Sequence, residues 1–164
     1  MDYDLTHVDS DGSVHMVDVT EKPSTQRRAI FQTTVQLSPK TFQLLQEKAL
    51  AKGDVLTTAK IAGIQAAKKT SHLIPMCHPI FIDHIDIQFR LDKTQGVVII
   101  EAESRTSAQT GVEMEALVAA QVAAMTIYDM CKAVQRDIVI TACHLIHKSG
   151  GKSGTYEFQR SDDE

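Results

Sequence analysis

The chain has 164 residues, a net charge of −4 at pH 7 and 43% hydrophobic residues, which is enough apolar surface for one domain of ordinary size with a real core. Aromatics make up 5% and tryptophan is absent, so the core must be aliphatic, with alanine and methionine filling in. Few aromatics and an acidic balance argue against a base-stacking surface and against broad non-specific nucleic-acid binding.

One domain spanning 1–164 is expected, with residues 1–13 a flexible arm. "DSDG", Asp9 to Gly12, reads as a polar turn, because His7 would stand at the first ligand position of a calcium loop and no glutamate closes it. The start is acidic and lacks an apolar core, unlike a secretory signal. No apolar run approaches the ~20 residues of a membrane span. Cys77, Cys131 and Cys143 are odd in number and form no C-x-x-C pair, which fits a reducing compartment. The expectation is a cytoplasmic protein, or a matrix protein whose presequence has been removed.

Arg27 to Leu37 is rich in β-branched residues and reads as a strand. Ser38 and Pro39 then supply an N-cap and a first helical position, and Gly53 is expected to end that helix. Asp54 caps a second helix whose Ala59, Ala62, Gly63, Ala66 and Ala67 allow close backbone approach. It must stop before Pro75. Residues 84–91 alternate, with Ile85, Ile87, Phe89 and Leu91 on one face and His84, Asp86, Gln88 and Arg90 on the other. With the turn "DKTQG" and the strand "VVIIEAES" they read as a hairpin. A long helix over about 112–134 is apolar almost all round and should be buried. "DIVITACHLI" is a last strand, followed by a basic loop and a polar tail over 155–164. The order is β-α-β-β-α-β with one extra helix. It predicts an α+β fold of the ferredoxin-like split βαβ kind, an antiparallel sheet with helices packed on one face.

Three segments look chemical. On the long helix, Asp129 and Lys132 share a stripe with Gln121 and Met125. A carboxylate and an ammonium on a buried helix are either a structural ion pair or an acid/base couple whose lysine pKa is lowered by burial. In "IPMCHP" two prolines stiffen a loop that presents Met76, Cys77 and His78; it is a ligand platform or a connecting turn. No spacing of histidines and cysteines matches a structural zinc site. In particular, His144 and His147 are three apart on a strand and should face opposite ways. The third segment is "KSGGKSG", Lys148 to Gly154. It is not a phosphate-binding P-loop, because Ile146 stands where the first glycine belongs and too little chain follows for the helix. A flexible basic loop remains. Arg27, Arg28, Lys52, Lys68, Lys69, Lys132, Lys148 and Lys152 would form an anion site where they converge.

"KGDVLTTAKIAGIQAAKKTSHLIPMCHP", "TGVEMEALVAAQVAAMTIYDMCKAV" and "KSGGKSG" resemble the MoaC family, the cyclic pyranopterin monophosphate synthases of molybdenum cofactor biosynthesis; "HMVDV" near the start does too. The resemblance runs from about His15 to Gly154. It implies a ferredoxin-like enzyme that assembles as a homo-hexamer, a trimer of dimers, with each active site at a dimer interface. The implied reaction converts 3′,8-cyclo-7,8-dihydroguanosine 5′-triphosphate to cyclic pyranopterin monophosphate and pyrophosphate, with no redox step. Asp129, Lys132 and Lys52 match the family's catalytic residues. Met76, Cys77, His78, Glu113, Met114 and Glu115 match its substrate contacts, and Lys148, Lys152 and Arg27 its phosphate contacts. The sequence itself calls for no cofactor, and magnesium with the triphosphate substrate is left open. Gln109 stands where a lysine is common and Arg28 where a carboxylate or neutral residue is usual; Met76 replaces a leucine. The competing readings are a non-catalytic nucleotide- or pterin-binding regulatory module of the same fold and a structural subunit of a larger complex.

Overall fold

The computed structural model describes residues 12–159. The expected arm, with the turn at Asp9, lies almost wholly outside the described residues, as do the last five positions of the polar tail. The element order is β1 (Thr25–Gln36), α1 (Pro39–Gln46), α2 (Val55–Ala67), α3 (Thr70–Leu73), β2 (His84–Asp92), β3 (Val97–Ala108), α4 (Glu113–Cys131), β4 (Val139–Ser149) and β5 (Tyr156–Glu157). The strands form one antiparallel sheet in the order β2-β3-β1-β4-β5. β3 therefore lies between β1 and β2, which the helices connect, as the split βαβ order requires. The α+β expectation holds, and β5 is an addition made by residues expected to be tail.

Alternation decides which side chains meet the helices. Ala29, Thr33 and Val35 of β1, Ile87 of β2 and Val98, Ile100, Ala102 and Ser104 of β3 are buried. Against them α4 packs Ala116, Ala119, Ala120, Ala123, Ala124 and Ile127, all fully buried. Alanine thus fills the core far more than methionine does: Met130 is the one buried methionine among the described residues. Small side chains also bring α2 onto α4. A Cβ at Gly63 would lie 2.3 Å from Ile87 Cδ1 and 2.7 Å from the Ala119 carbonyl oxygen, so only glycine fits without displacing backbone. No helix among the described residues is long and apolar enough to cross a membrane.

Both predicted caps are present. Ser38 accepts from the Thr41 amide and Asp54 from the Thr57 amide. The end of α1 differs from expectation. It stops at Gln46 rather than near Gly53, because Lys48 takes a φ of 54° that an α-helix cannot continue through. Its ammonium is 2.8 Å from the cap Asp54, so the turn leads directly into α2.

A second difference lies in β4. Ile30 pairs with His147 but Phe31 pairs with Leu145, leaving Ile146 as an extra residue. Such a bulge resets the alternation. His144, opposite Gln32, and His147, opposite Ile30, therefore share the sheet face away from the helices, and the expectation of opposite faces is corrected.

Candidate active site

The sequence-predicted residues collect at the two ends of α4. At its C-terminal end the Asp129 carboxylate sits between two ammoniums. Lys132 Nζ is 2.7 Å from Oδ1 and Lys52 Nζ is 2.7 Å from Oδ2. Lys52 also donates to the Asp129 carbonyl at 3.0 Å. It reaches the helix end from the turn that precedes α2. Hydrogen bonds from Lys132 and then Lys52 hold the Asp129 carboxyl at a pKa of about 2. The hydrogen bond from Lys132 to Asp129 in turn raises the Lys132 pKa above its ordinary value.

This corrects the expectation of a buried lysine with a lowered pKa. The stripe of Gln121, Met125, Asp129 and Lys132 is the outward one. Met125 is 52% exposed and the Asp129 side chain 53% exposed. Desolvation is therefore too small to compete with a carboxylate at 2.7 Å. With two ammoniums to one carboxylate, the cluster carries net positive charge and two proton donors at fixed positions.

The N-terminal end of α4 opens onto a cleft of about 580 Å³. Met76, Cys77 and His78 line one wall, and Glu113, Met114 and Glu115 from the first helical turn line another. The stiff loop between the prolines therefore does present its side chains to a cavity. His78 Nε2 is 2.8 Å from the Val17 carbonyl. A carbonyl only accepts, so that nitrogen carries a proton and ties the segment before β1 to the cleft. Burial, then the charge of Glu115, push the Cys77 thiol up, so it is a neutral wall group rather than a thiolate nucleophile.

The two acids of this turn differ. Burial opposes ionisation of Glu113, but it is outweighed by hydrogen bonds from Lys148 and its own backbone N–H, and by the charges of Lys148 and Arg27. The carboxyl stays below the usual range. Lys148 Nζ lies 2.8 Å away. Glu115 is 4% exposed. Burial, supplemented by the charge of Glu113, lifts its pKa to about 7 against one opposing hydrogen bond from its own backbone.

Beside this cleft is a smaller one of about 200 Å³, lined by Lys22, Pro23, Thr25, Arg27, Gly151 and Lys152, with no acidic residue. Arg27 is anchored through Nε to the Ala108 carbonyl at 3.2 Å and through Nη2 to the Gln109 carbonyl at 3.0 Å. Its Nη1 lies against Gly151. Gly150 and Gly151 have φ of 92° and 77°. A Cβ on them would come within 2.2 Å of the Gln26 carbonyl oxygen and of Arg27 Nη1, respectively. The paired glycines therefore let the basic loop dock on β1.

Lys22 lines both clefts and was missed in the sequence; its only local signal is the proline that follows it. Arg28 turns to the other sheet face. It makes a two-pronged pair with Glu103, at 3.0 Å on both oxygens, and Glu103 also accepts from Arg105. Arg28 thus offers no compensation for Gln109, whose backbone rather than side chain holds Arg27. Lys68 and Lys69, between α2 and α3, line neither cleft. Among the described residues no group of three or more His, Cys, Asp or Glu side chains is arranged to hold a metal ion.

The two ends of α4 do not meet within one chain. From Glu113 to Asp129 the helix rises about 24 Å at 1.5 Å per residue.

The MoaC family model matches residues 16–151. The chain is 60% identical over 152 residues to a cyclic pyranopterin monophosphate synthase of Oleidesulfovibrio alaskensis, covering 93% of this chain and 96% of that one. It is 61% identical over 152 residues to the protein of the same name from Nitratidesulfovibrio vulgaris, covering 93% and 94%. It is also 53% identical over 152 residues to molybdenum cofactor biosynthesis protein 1 of Homo sapiens, covering 93% of this chain and 24% of that protein.

Proposed function

The chain belongs to the MoaC family, and on that footing we propose that it is a lyase of molybdenum cofactor biosynthesis. It converts 3′,8-cyclo-7,8-dihydroguanosine 5′-triphosphate to cyclic pyranopterin monophosphate and pyrophosphate. The observation that carries this reading is the Asp129 carboxylate holding Lys52 and Lys132 at 2.7 Å each. A module that only binds has no use for two fixed proton donors on one exposed carboxylate.

The roles follow from the chemistry of the residues. Lys132 and Lys52 supply protons and positive charge while the purine ring opens and the pterin forms, with Asp129 fixing both amines. Glu115, with a pKa of about 7, is matched to exchanging a proton near neutral pH. Met76, Cys77, His78, Met114 and Glu113 shape the wall against the ring system. Arg27, Lys148 and Lys152 hold the triphosphate. When a substrate hydroxyl attacks the nearest phosphorus and pyrophosphate leaves, they stabilise the departing charge. Magnesium would arrive with the triphosphate as part of the substrate.

One ligand cannot touch both ends of a helix about 24 Å apart, so two copies complete each site. Each copy contributes its acid–amine cluster to the cleft of the other, in a homo-hexamer built as a trimer of dimers. Exposed apolar surface supports this: Phe81 is 93% exposed, and Met125 stands one turn from Asp129 on the outer stripe.

The test is turnover by the purified protein with the cyclised dihydro-GTP substrate, assaying both products. Equal amounts of pyrophosphate and cyclic pyranopterin monophosphate are expected. Lys132→Ala should lower the rate about 10²- to 10⁴-fold while the protein stays folded. A folded, substrate-binding wild-type protein that makes no product would leave the regulatory module as the function.

A further inference from the structure

The basic loop is held at both ends. β4 delivers Lys148 and Ser149, and the chain returns as β5, where His147 pairs with Glu157 and Lys148 with Tyr156. The Phe158 amide adds a bond to the Ile146 carbonyl at 2.9 Å. Two pairs of residues make a marginal strand on their own, and side chains reinforce it. His147 Nδ1 is 2.6 Å from Glu157 Oε1, and its Nε2 is 3.2 Å from Ser149 Oγ. One neutral tautomer satisfies both contacts: Nδ1–H donates to the carboxylate and Nε2 accepts from the hydroxyl. The His144 and Phe158 rings pack with centroids 4.4 Å apart. The bulge in β4 makes this possible, since it brings His144 and His147 to one face.

We infer that His147–Glu157 and His144–Phe158 form a latch that sets the conformation of loop 150–155, making these four side chains positioning residues for phosphate binding. None of them lines either cleft. They act through the loop, by fixing where Lys148 leaves the sheet and where Lys152 joins Arg27 in lining the smaller cleft. A loop ordered for only part of the time binds its ligand more weakly by that fraction. The latch raises the ordered fraction at no cost in catalytic groups. The inference rests on the reading of this loop as a phosphate grip.

Inorganic pyrophosphate is the probe. Its affinity is measured by calorimetry for the wild-type protein, a Glu157→Gln/Phe158→Ala double variant, Phe158→Tyr and Lys152→Ala. Trypsin cleavage after Lys152 is followed in parallel. The double variant should bind pyrophosphate roughly 3- to 10-fold more weakly and be cut faster after Lys152. Its KM should rise by the same factor with kcat unchanged, while Phe158→Tyr stays at the wild-type value. Unchanged affinity and KM in the double variant, alongside weakened binding in Lys152→Ala, would overturn the latch and leave the phosphate reading intact. Unchanged affinity in Lys152→Ala would overturn the phosphate reading, and the latch with it.

Discussion

The two ends of α4 carry the same kinds of group in opposite environments. At the C-terminal end, Asp129 is half exposed, grips two ammoniums and is held ionised at a pKa of about 2. At the N-terminal end, Glu115 is buried and poised at about 7. The helix dipole favours the reverse, since it stabilises a carboxylate at the N-terminus and disfavours one near the C-terminus. Burial overrides it at Glu115, and Lys52 and Lys132 override it at Asp129. The contrast shows that solvent access and immediate partners, rather than position along the helix, set the proton affinity of these acids. One helix thereby carries both a fixed charge and a group that can change its charge near neutral pH.

The sharpest way to break this division of labour is to separate its halves. Lys132→Ala disables one end and Glu115→Gln the other, and each variant alone should keep no more than about a hundredth of wild-type turnover. If each site joins the C-terminal end of one copy to the cleft of another, mixed dimers regain one intact site of two. Unfolding and refolding the two variants together should then restore roughly a quarter of wild-type turnover, by the symmetry of a two-fold interface. No recovery in a demonstrably mixed oligomer would mean that one chain supplies the whole site.

A smaller effect is expected at the end proposed to bind phosphate. Lys148→Ala removes a charged hydrogen bond and should raise KM by about tenfold, with kcat changed far less. It also strips Glu113 of its partner at 2.8 Å, so the Glu113 pKa should rise in a carboxylate titration. An unchanged KM would remove Lys148 from substrate binding.

The mildest prediction concerns stability. The folded pKa of Glu115, about 7, lies above its ordinary 4.5. The native state therefore binds the proton more tightly than the unfolded chain. Below pH 4.5 both states are protonated and Glu115 has no effect. As pH rises from 4.5 through 7 the protein loses stability, to a limit on the order of 3 kcal/mol. Denaturant unfolding at pH 5 and pH 8 should show this loss in the wild-type protein and a clearly smaller one in Glu115→Gln. Equal losses in both would mean that Glu115 ionises freely in the folded protein.

Much of the fold was legible in the sequence. Ser38 and Asp54 cap their helices as read, residues 84–92 alternate as a half-buried strand, and the alanine-rich segments pack as close neighbours. Each of these rests on residues a few positions apart. The misreadings came where distant chain intervenes. α1 stops early because Lys48 adopts a left-handed conformation in the turn that swings Lys52 toward α4. His144 and His147 share a face because pairing with β1 expels Ile146 from register. Lys22 carries no motif and becomes notable only where two clefts meet.

The sequence by itself determined the class of fold and the family and nominated the candidate site residues, because periodicity, caps and long matching strings are properties of the linear order. Only the tertiary structure decided what those residues are like. Lys52 reaches Asp129 across 77 positions of chain, and the outward stripe of α4 leaves that cluster in water. Packing around the first turn of the same helix buries Glu115 at the cleft that the stiff proline loop also lines. Burial and charge partners are set by elements remote in sequence, and proton affinity follows from them.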